Sequence, residues 1–334
     1  MSKPKTITIL GDGGWGTALS LVLNNNGHKV LLWSVFKEYA DFLKRKRENV
    51  KFLKGIKIPK GIVITSDLKE ALDFSSTVIL AIPSQYLRSV LGRLKKVYLQ
   101  DRLFLSVTKG IELTTLKRMS EVIYEELGQV NLAVLSGPNI SFEIAEAMPA
   151  VSVVASADEN TNRFFQDILM NRYFRIYTNN DVVGVELGGS LKNVIALACG
   201  ISDGMGFGTN TKAALITRGL AEISRLGVKM GAKIETFFGV SGLGDLVTTC
   251  MSPYSRNRFV GQEIAKRKSL KQIISSMDMV AEGVTTTKAA YFLSLKYKVE
   301  MPITRQMYLV LYKNKSPQRA LKALMTRRKK SELA

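Results

Sequence analysis

Histidine is almost missing from this chain. Its 334 residues include one, His28. It follows three asparagines and a glycine and precedes an apolar run, which places it in a turn. A Ser-His-Asp triad and a multi-histidine metal site are therefore excluded. Cysteines number two, Cys199 and Cys250, with no C-x-x-C spacing. That rules out a disulfide framework and a cysteine-ligated zinc. Proton transfer must fall mainly to Lys, Asp, Glu, Tyr or water. No run approaches the ~18–20 apolar residues that span a bilayer. "MSKPKTITILG" enters β-type sequence with no signal-peptide pattern ahead of it. These absences predict a soluble, cytoplasmic protein without a membrane span. There is no Gly/Ser-rich linker, internal repeat or low-complexity tract.

What is present is a large apolar fraction, 46%, which supports a sizeable core and excludes wholesale disorder. The length allows two domains. Lys and Arg total 48 against 28 Asp and Glu, a formal charge of +20. Such a balance favours anionic partners such as phosphates, nucleic acid or lipid headgroups, unless it only aids solubility. The basic clusters at Lys44–Arg47 and Arg327–Lys330 are not interleaved with aromatics as a base-stacking surface is. No nucleic-acid partner is expected.

Short apolar runs alternate with helical segments up to about residue 178. They are Thr6–Leu10, Lys29–Trp33, "GIVIT" to Thr65, "STVILAI" to Ile82, "RLFLSV" to Val107, "NLAVL" to Leu135, "AVSVVA" to Ala155 and "FRIYT" to Thr178. Buried strands separated by helices argue for a largely parallel sheet with helices on both faces. Apolar residues then recur at helical spacing through Leu191–Ala198, Ala213–Leu226 and Ala289–Leu295, with a further helix across Thr304–Tyr312. The expected boundary lies near residues 178–182. It divides an α/β domain, 1–180, from an all-helical domain, 181–334, packed tightly together.

"ILGDGGWGTAL" sets Gly11-x-Gly13-x-x-Gly16 directly after the first strand and at the mouth of a helix. Alone the pattern is common, but this position makes it a dinucleotide fingerprint rather than a plain strand–helix turn. Gly11 allows the tight turn, Gly13 the approach of a pyrophosphate and Gly16 close helix packing. The helix N-terminus then offers N–H groups and partial positive charge to the phosphates. The second strand ends in Trp33-Ser34-Val35-Phe36-Lys37, with no acid to accept from a ribose 2′-hydroxyl. With Lys37 nearby, this leans toward NADP over NAD.

Three further clusters carry charge. "SVTKGIE" puts Lys109 just beyond an apolar strand, where open α/β sheets bind ligands. "VSGLGDL" sets Asp245 in a glycine-rich turn, and "SPYSRNRF" groups Ser255, Arg256 and Asn257 at a helix start, a good phosphate clamp. Each could singly be a cap or a surface charge. "GGSLKNVIALACG" is the oddest stretch, since Lys192 interrupts a helix otherwise fit for an interior. Gly188 and Gly189 leave room one turn before it. The ordinary alternative is a lysine whose head reaches water at the helix edge.

Taken together, these segments resemble the bacterial-type NAD(P)-dependent glycerol-3-phosphate dehydrogenases over essentially the whole chain. The shared blocks include "GDGGWGTAL", "TKGIE", "LSGPN", "GVELGGSLKNVIALACGISDGMGFGTNTKAALITRGLAE", "SGLGDLVTTC", "SRNR", "AEGVTTTK" and "MPIT". The resemblance implies a Rossmann-type N-terminal domain, an all-helical C-terminal domain and a homodimer. It implies Lys192 as catalytic proton acceptor, with Lys109 and Asp245 beside it. Gly137, Asn139, Ser255, Arg256 and Asn257 join these three in the substrate site. Gly11, Gly13, Gly14, Trp15, Gly16, Val35, Lys109, Ser141, Arg256, Val280 and Glu282 would contact NAD or NADP. Two departures stand out. The family usually reads Ser/Thr-Phe-Ala after "SGP", where this chain has Asn139-Ile140-Ser141, and many members carry Arg or His at Val35.

The implied reaction reduces dihydroxyacetone phosphate to sn-glycerol 3-phosphate for phospholipid synthesis. A partly buried ammonium loses hydration, and its pKa falls from about 10.4 toward neutrality. It then donates in reduction, accepts in oxidation and stabilises the developing alkoxide. Two other readings remain open on sequence. One is a hydroxy-acid dehydrogenase of the same build. The other is a non-catalytic nucleotide-sensing or nucleic-acid-binding module.

Overall fold

A computed structural model describes residues 3–94, 101–277, 280–329 and 331–332. Lys330 of the C-terminal basic cluster lies outside them. The eight strands are β1 Thr6–Leu10, β2 Lys29–Trp33, β3 Val63–Thr65, β4 Thr77–Leu80, β5 Leu103–Ser106, β6 Asn131–Ser136, β7 Ala150–Ala155 and β8 Phe174–Asn179. Each falls on one of the eight apolar runs. They form one sheet in the order β3-β2-β1-β4-β5-β6-β7-β8. All neighbouring pairs are parallel except β6 with β7.

Intervening helices are α1 Gly14–Asn25, α2 Lys37–Lys46, α3 Leu68–Phe74, α4 Ser84–Leu94, α5 Met119–Leu127, α6 Ser141–Ala145 and α7 Glu159–Leu169. They cover both faces, so successive strand residues enter different cores. On β2, Val30 and Leu32 pack on one side, Leu31 and Trp33 on the other. This explains why the strands read as unbroken apolar runs rather than alternating ones. Strand order reverses at β1, which opens a crevice beyond the carboxyl ends of β1 and β4. His28 lies in the loop before β2 as expected, buried, with its ring against the Ile168 carbonyl at 3.2 Å.

The rest is helical: α8 Val182–Gly204, α9 Thr209–Lys229, α10 Ile234–Phe238, a π-helical turn Val240–Gly244, α11 Asp245–Met251, α12 Arg256–Ala265, α13 Leu270–Ser275, α14 Glu282–Lys296, α15 Pro302–Tyr312 and α16 Pro317–Met325. No strand follows β8 among the described residues. The expected stretches at Leu191–Ala198, Ala213–Leu226, Ala289–Leu295 and Thr304–Tyr312 lie within α8, α9, α14 and α15.

Helix α8 is the axle of this half, packed on α9, α11, α12 and α14. It crosses α12 backbone to backbone. A Cβ on Gly200 would lie 2.0 Å from the Arg258 carbonyl, and one on Gly261 2.2 Å from that of Leu197. The expectation that no run approaches a membrane span needs correcting. Val182–Gly204 is long and apolar enough to cross one by length and composition. Its apolar window is 89% buried inside the fold, so those residues serve as core. A helix packed on all sides and a spanning helix share one composition, because both meet apolar surroundings all round.

Candidate active site

Lys109 lies just past β5, at the crevice. Its ammonium donates to the Gly137 carbonyl at 2.9 Å, Asn139 Oδ1 at 2.6 Å and Asp245 Oδ2 at 2.7 Å. Lys192 approaches from α8, its side chain 8% exposed. It donates to Asp245 Oδ1 and, at 2.7 Å, to Thr249 Oγ1. Asp245 is 1% exposed and opens α11. Its expected glycine-rich turn is instead the π-helical turn, which runs straight into that helix. That winding requires glycine at 242, where a Cβ would lie 2.2 Å from the Phe237 carbonyl oxygen.

Two ammonium groups thus share one carboxylate in a nearly dry space. The trio carries a net positive charge when both lysines are protonated. Burial pushes the Lys109 pKa down to about 7. The Asp245 carboxylate resists the fall and the Lys192 charge adds to it. Lys109, on the sheet side of the cleft, is thereby displaced toward neutrality. Asn139 Nδ2 is buried beside these groups without a partner among the described residues. Such a donor suits an incoming oxygen.

Sequence reasoning missed two members of this cluster. Thr249 follows Asp245 by one helical turn on the same face, a spacing visible in "DLVTT" once the helix is known. Ser136 Oγ lies 3.5 Å from Asp245 Oδ2, and no sequence signal separates it from other strand-end serines.

The glycine loop is built for close approach. Gly11 has φ +121°, and a Cβ there would lie 2.4 Å from the Ala81 carbonyl. One on Gly16 would lie 1.9 Å from the Gly11 carbonyl. Gly13 caps α1 with no side-chain bond, and a Cβ there would meet nothing within 4 Å. An open, uncapped helix start fits a pyrophosphate. Gly14 brings in Ser141 of α6, 3.7 Å from the position of its absent Cβ. Trp15 packs edge-on against Phe174, with a buried Nε1 lacking a partner among the described residues.

The third group comes from the helical half. Glu282 accepts from the Ser84 backbone at 2.9 Å and from its hydroxyl at 2.5 Å, so it caps α4 across the cleft. Burial raises its pKa. Gly110, next to Lys109, leaves it room: a Cβ there would lie 3.2 Å from Glu282 Oε2. Arg256 is exposed and donates to the Val280 carbonyl at 2.8 Å. Ser255 caps α12 by accepting from Arg258 N. Asn257 is buried and spans α8 and α14, donating to Asn193 Oδ1 and accepting from Gly283 N, both at 2.9 Å. Those bonds make it a brace. Val35 is exposed beyond β2.

Fold and site together define a two-domain nicotinamide-dinucleotide dehydrogenase, with a lysine-carboxylate centre between sheet and helices. Comparison with known proteins narrows this. Residues 6–162 match the N-terminal model of NAD-dependent glycerol-3-phosphate dehydrogenase, and residues 181–322 match its C-terminal model. The glycerol-3-phosphate dehydrogenase [NAD(P)+] of Thermoanaerobacter sp. (strain X514) is 50% identical over 327 residues, covering 98% of each chain. That of Prosthecochloris aestuarii is 48% identical over 330 residues, covering 98% of this chain and 99% of its own. The crystal structure of glycerol-3-phosphate dehydrogenase from Coxiella burnetii superposes with a TM-score of 0.94 at 37% identity, covering 97% of this chain and 99% of that one. The chain belongs to the NAD-dependent glycerol-3-phosphate dehydrogenase family and is an NAD(P)-dependent oxidoreductase.

Proposed function

We propose that the protein interconverts dihydroxyacetone phosphate and sn-glycerol 3-phosphate, supplying the latter for phospholipid synthesis as a cytoplasmic homodimer. The observation that carries the reading is the pair of lysines held on Asp245 at the mouth of the dinucleotide crevice. Residues 1–180 bind the dinucleotide, and residues 181–334 supply most of the substrate site. When bound, the dinucleotide supplies or takes up the hydride.

The chain's own groups do the rest. Asp245 fixes both ammonium groups by their hydrogen bonds. Asn139 Nδ2 and the Lys109 ammonium orient the substrate carbonyl. Lys192 gives its proton to the oxygen as charge builds there in reduction and takes it back in oxidation. The net positive trio stabilises the alkoxide in a site largely shut from water. Ser255 and Arg256, at the start of α12, fit the phosphate through backbone N–H groups and guanidinium; Asn257 holds that helix start in place.

NAD(P) serves as cofactor. Exposed Lys37 supports the 2′-phosphorylated form, whereas the carboxyl of Asp12, set near Ser34, opposes it. Exposed Phe238 and Met251 suit burial by a second copy. The test of the main reading is direct. Purified protein with NADH or NADPH and dihydroxyacetone phosphate must consume the reduced nicotinamide, followed by absorbance. No consumption with either cofactor refutes it.

A further inference from the structure

Asp12 stands inside the glycine loop, between Gly11 and Gly13. Its carbonyl is pinned by Asn49 Nδ2 at 2.7 Å and by Thr17 Oγ1 at 3.3 Å. Asn49 is itself held by the Tyr39 hydroxyl at 2.6 Å. The loop lies against the end of β2, where Gly11 N donates to the Trp33 carbonyl at 3.1 Å, and this sets the Asp12 carboxyl near Ser34, the first residue after that strand. Tyr39 of α2 feels its charge, and Lys51 is the cation that acts on it. Oδ2 is buried and has no hydrogen-bond partner among the described residues. A buried acceptor left unpaired costs free energy and calls for a reason.

The end of the second strand is where folds of this type place the adenosine ribose. There an acid about 20 residues past the glycine loop ordinarily accepts from the 2′-hydroxyl. In this chain Ser34, Val35, Phe36 and Lys37 occupy that stretch, and none is acidic.

We infer that Asp12 supplies from the first loop the carboxylate that the second strand lacks, accepts a hydrogen bond from the adenosine ribose 2′-hydroxyl, and makes the protein favour NAD over NADP. The inference rests on the dinucleotide site proposed above and decides which form it takes. A 2′-phosphate would bring a doubly charged anion against a partly buried carboxylate, where repulsion is little screened. This inference runs against the sequence-based lean toward NADP drawn from Lys37.

Binding decides the matter without turnover. Calorimetric titrations of the wild type, Asp12→Asn and Asp12→Ala would use NADH, NADPH, ADP-ribose and 2′-phospho-ADP-ribose. The wild type should bind NADH and ADP-ribose at least ~10-fold tighter than their 2′-phosphates, the size of one hydrogen bond to a charged group. Both variants should lose ~10-fold or more of that preference. Equal or tighter binding of the 2′-phosphates by the wild type overturns the inference. So does an unchanged preference in variants that melt like the wild type. If neither variant folds, the wild-type ranking of the two ADP-ribose fragments decides alone. A wild type that binds none of the four ligands sinks the dinucleotide site itself, a distinguishable failure.

Discussion

Lys109 and Lys192 meet on opposite oxygens of one carboxylate, Oδ2 and Oδ1 of Asp245. One comes from a strand end and the other from a buried helix. Each alone would be a costly buried cation; the shared carboxylate makes the arrangement tolerable and leaves an excess of positive charge while both lysines are protonated. That excess is what a carbonyl oxygen turning into an alkoxide requires.

Removing the proton donor should therefore spare binding and cost turnover. Lys192→Ala is expected to lower kcat by ~10²–10⁴, the usual share of general acid–base catalysis, with a smaller change in KM. Near-normal kcat in steady-state assays would move the role to another group.

Lys109 makes stability depend on pH. Its folded pKa, about 7, lies below its ordinary 10.5 because of burial. Between these values the unfolded chain binds the extra proton, so stability rises with pH there. Below about 7 the folded state bears the full cost of the buried charge. Lys109→Met should thus gain melting temperature over the wild type, more at pH 6 than at pH 9, while losing activity. An equal difference at both pH values would show that charge is not the cause.

Glu222 of α9 predicts a slope of the opposite sign. It is 1% exposed and accepts from Ile303 N at 2.6 Å and from Thr304 N and Oγ1 at 3.0 Å, capping α15. Burial pushes its pKa up to about 7, against these donors. The folded state then holds a proton that the unfolded state has released above about 4.5, so stability falls as pH rises from there to 7. Urea midpoints against pH should show the fall in the wild type and a flatter curve in Glu222→Gln.

Gly189 is a spatial requirement of the site. A Cβ there would lie 2.2 Å from Ser136 Oγ and 3.6 Å from Lys109 Cδ. Gly189→Ala should force Ser136 and the α8–β6 contact apart, costing ~1–3 kcal/mol by thermal melt and more than tenfold in kcat/KM. Wild-type values on both counts would mean that the serine simply swings aside.

Much of this molecule is legible in one dimension. All eight strands announce themselves as short β-rich runs between helices, because a sheet buried on both faces needs no alternation. The glycine loop is readable because close backbone approach tolerates no side chain. Lys192 stands out because an ammonium in an apolar helix must be compensated somewhere. The π-helical turn before Asp245 was not legible, since three glycines in seven residues suit a loop equally well. Nor was the orphaned oxygen of Asp12, as an acid between glycines has no fixed direction until β2 lies beside it.

Periodicity and residue type were enough for the order of elements, the α/β-to-helical change near residue 180 and the lysines worth suspecting. Which charges touch was settled only by folding. Lys192 finds its carboxylate 53 residues away, and Lys109 finds the same one 136 residues away. Spacing along the chain carries no record of such pairings. They arise when α8, α11 and the sheet edge pack together, and burial then shifts the titration of the lysine it encloses.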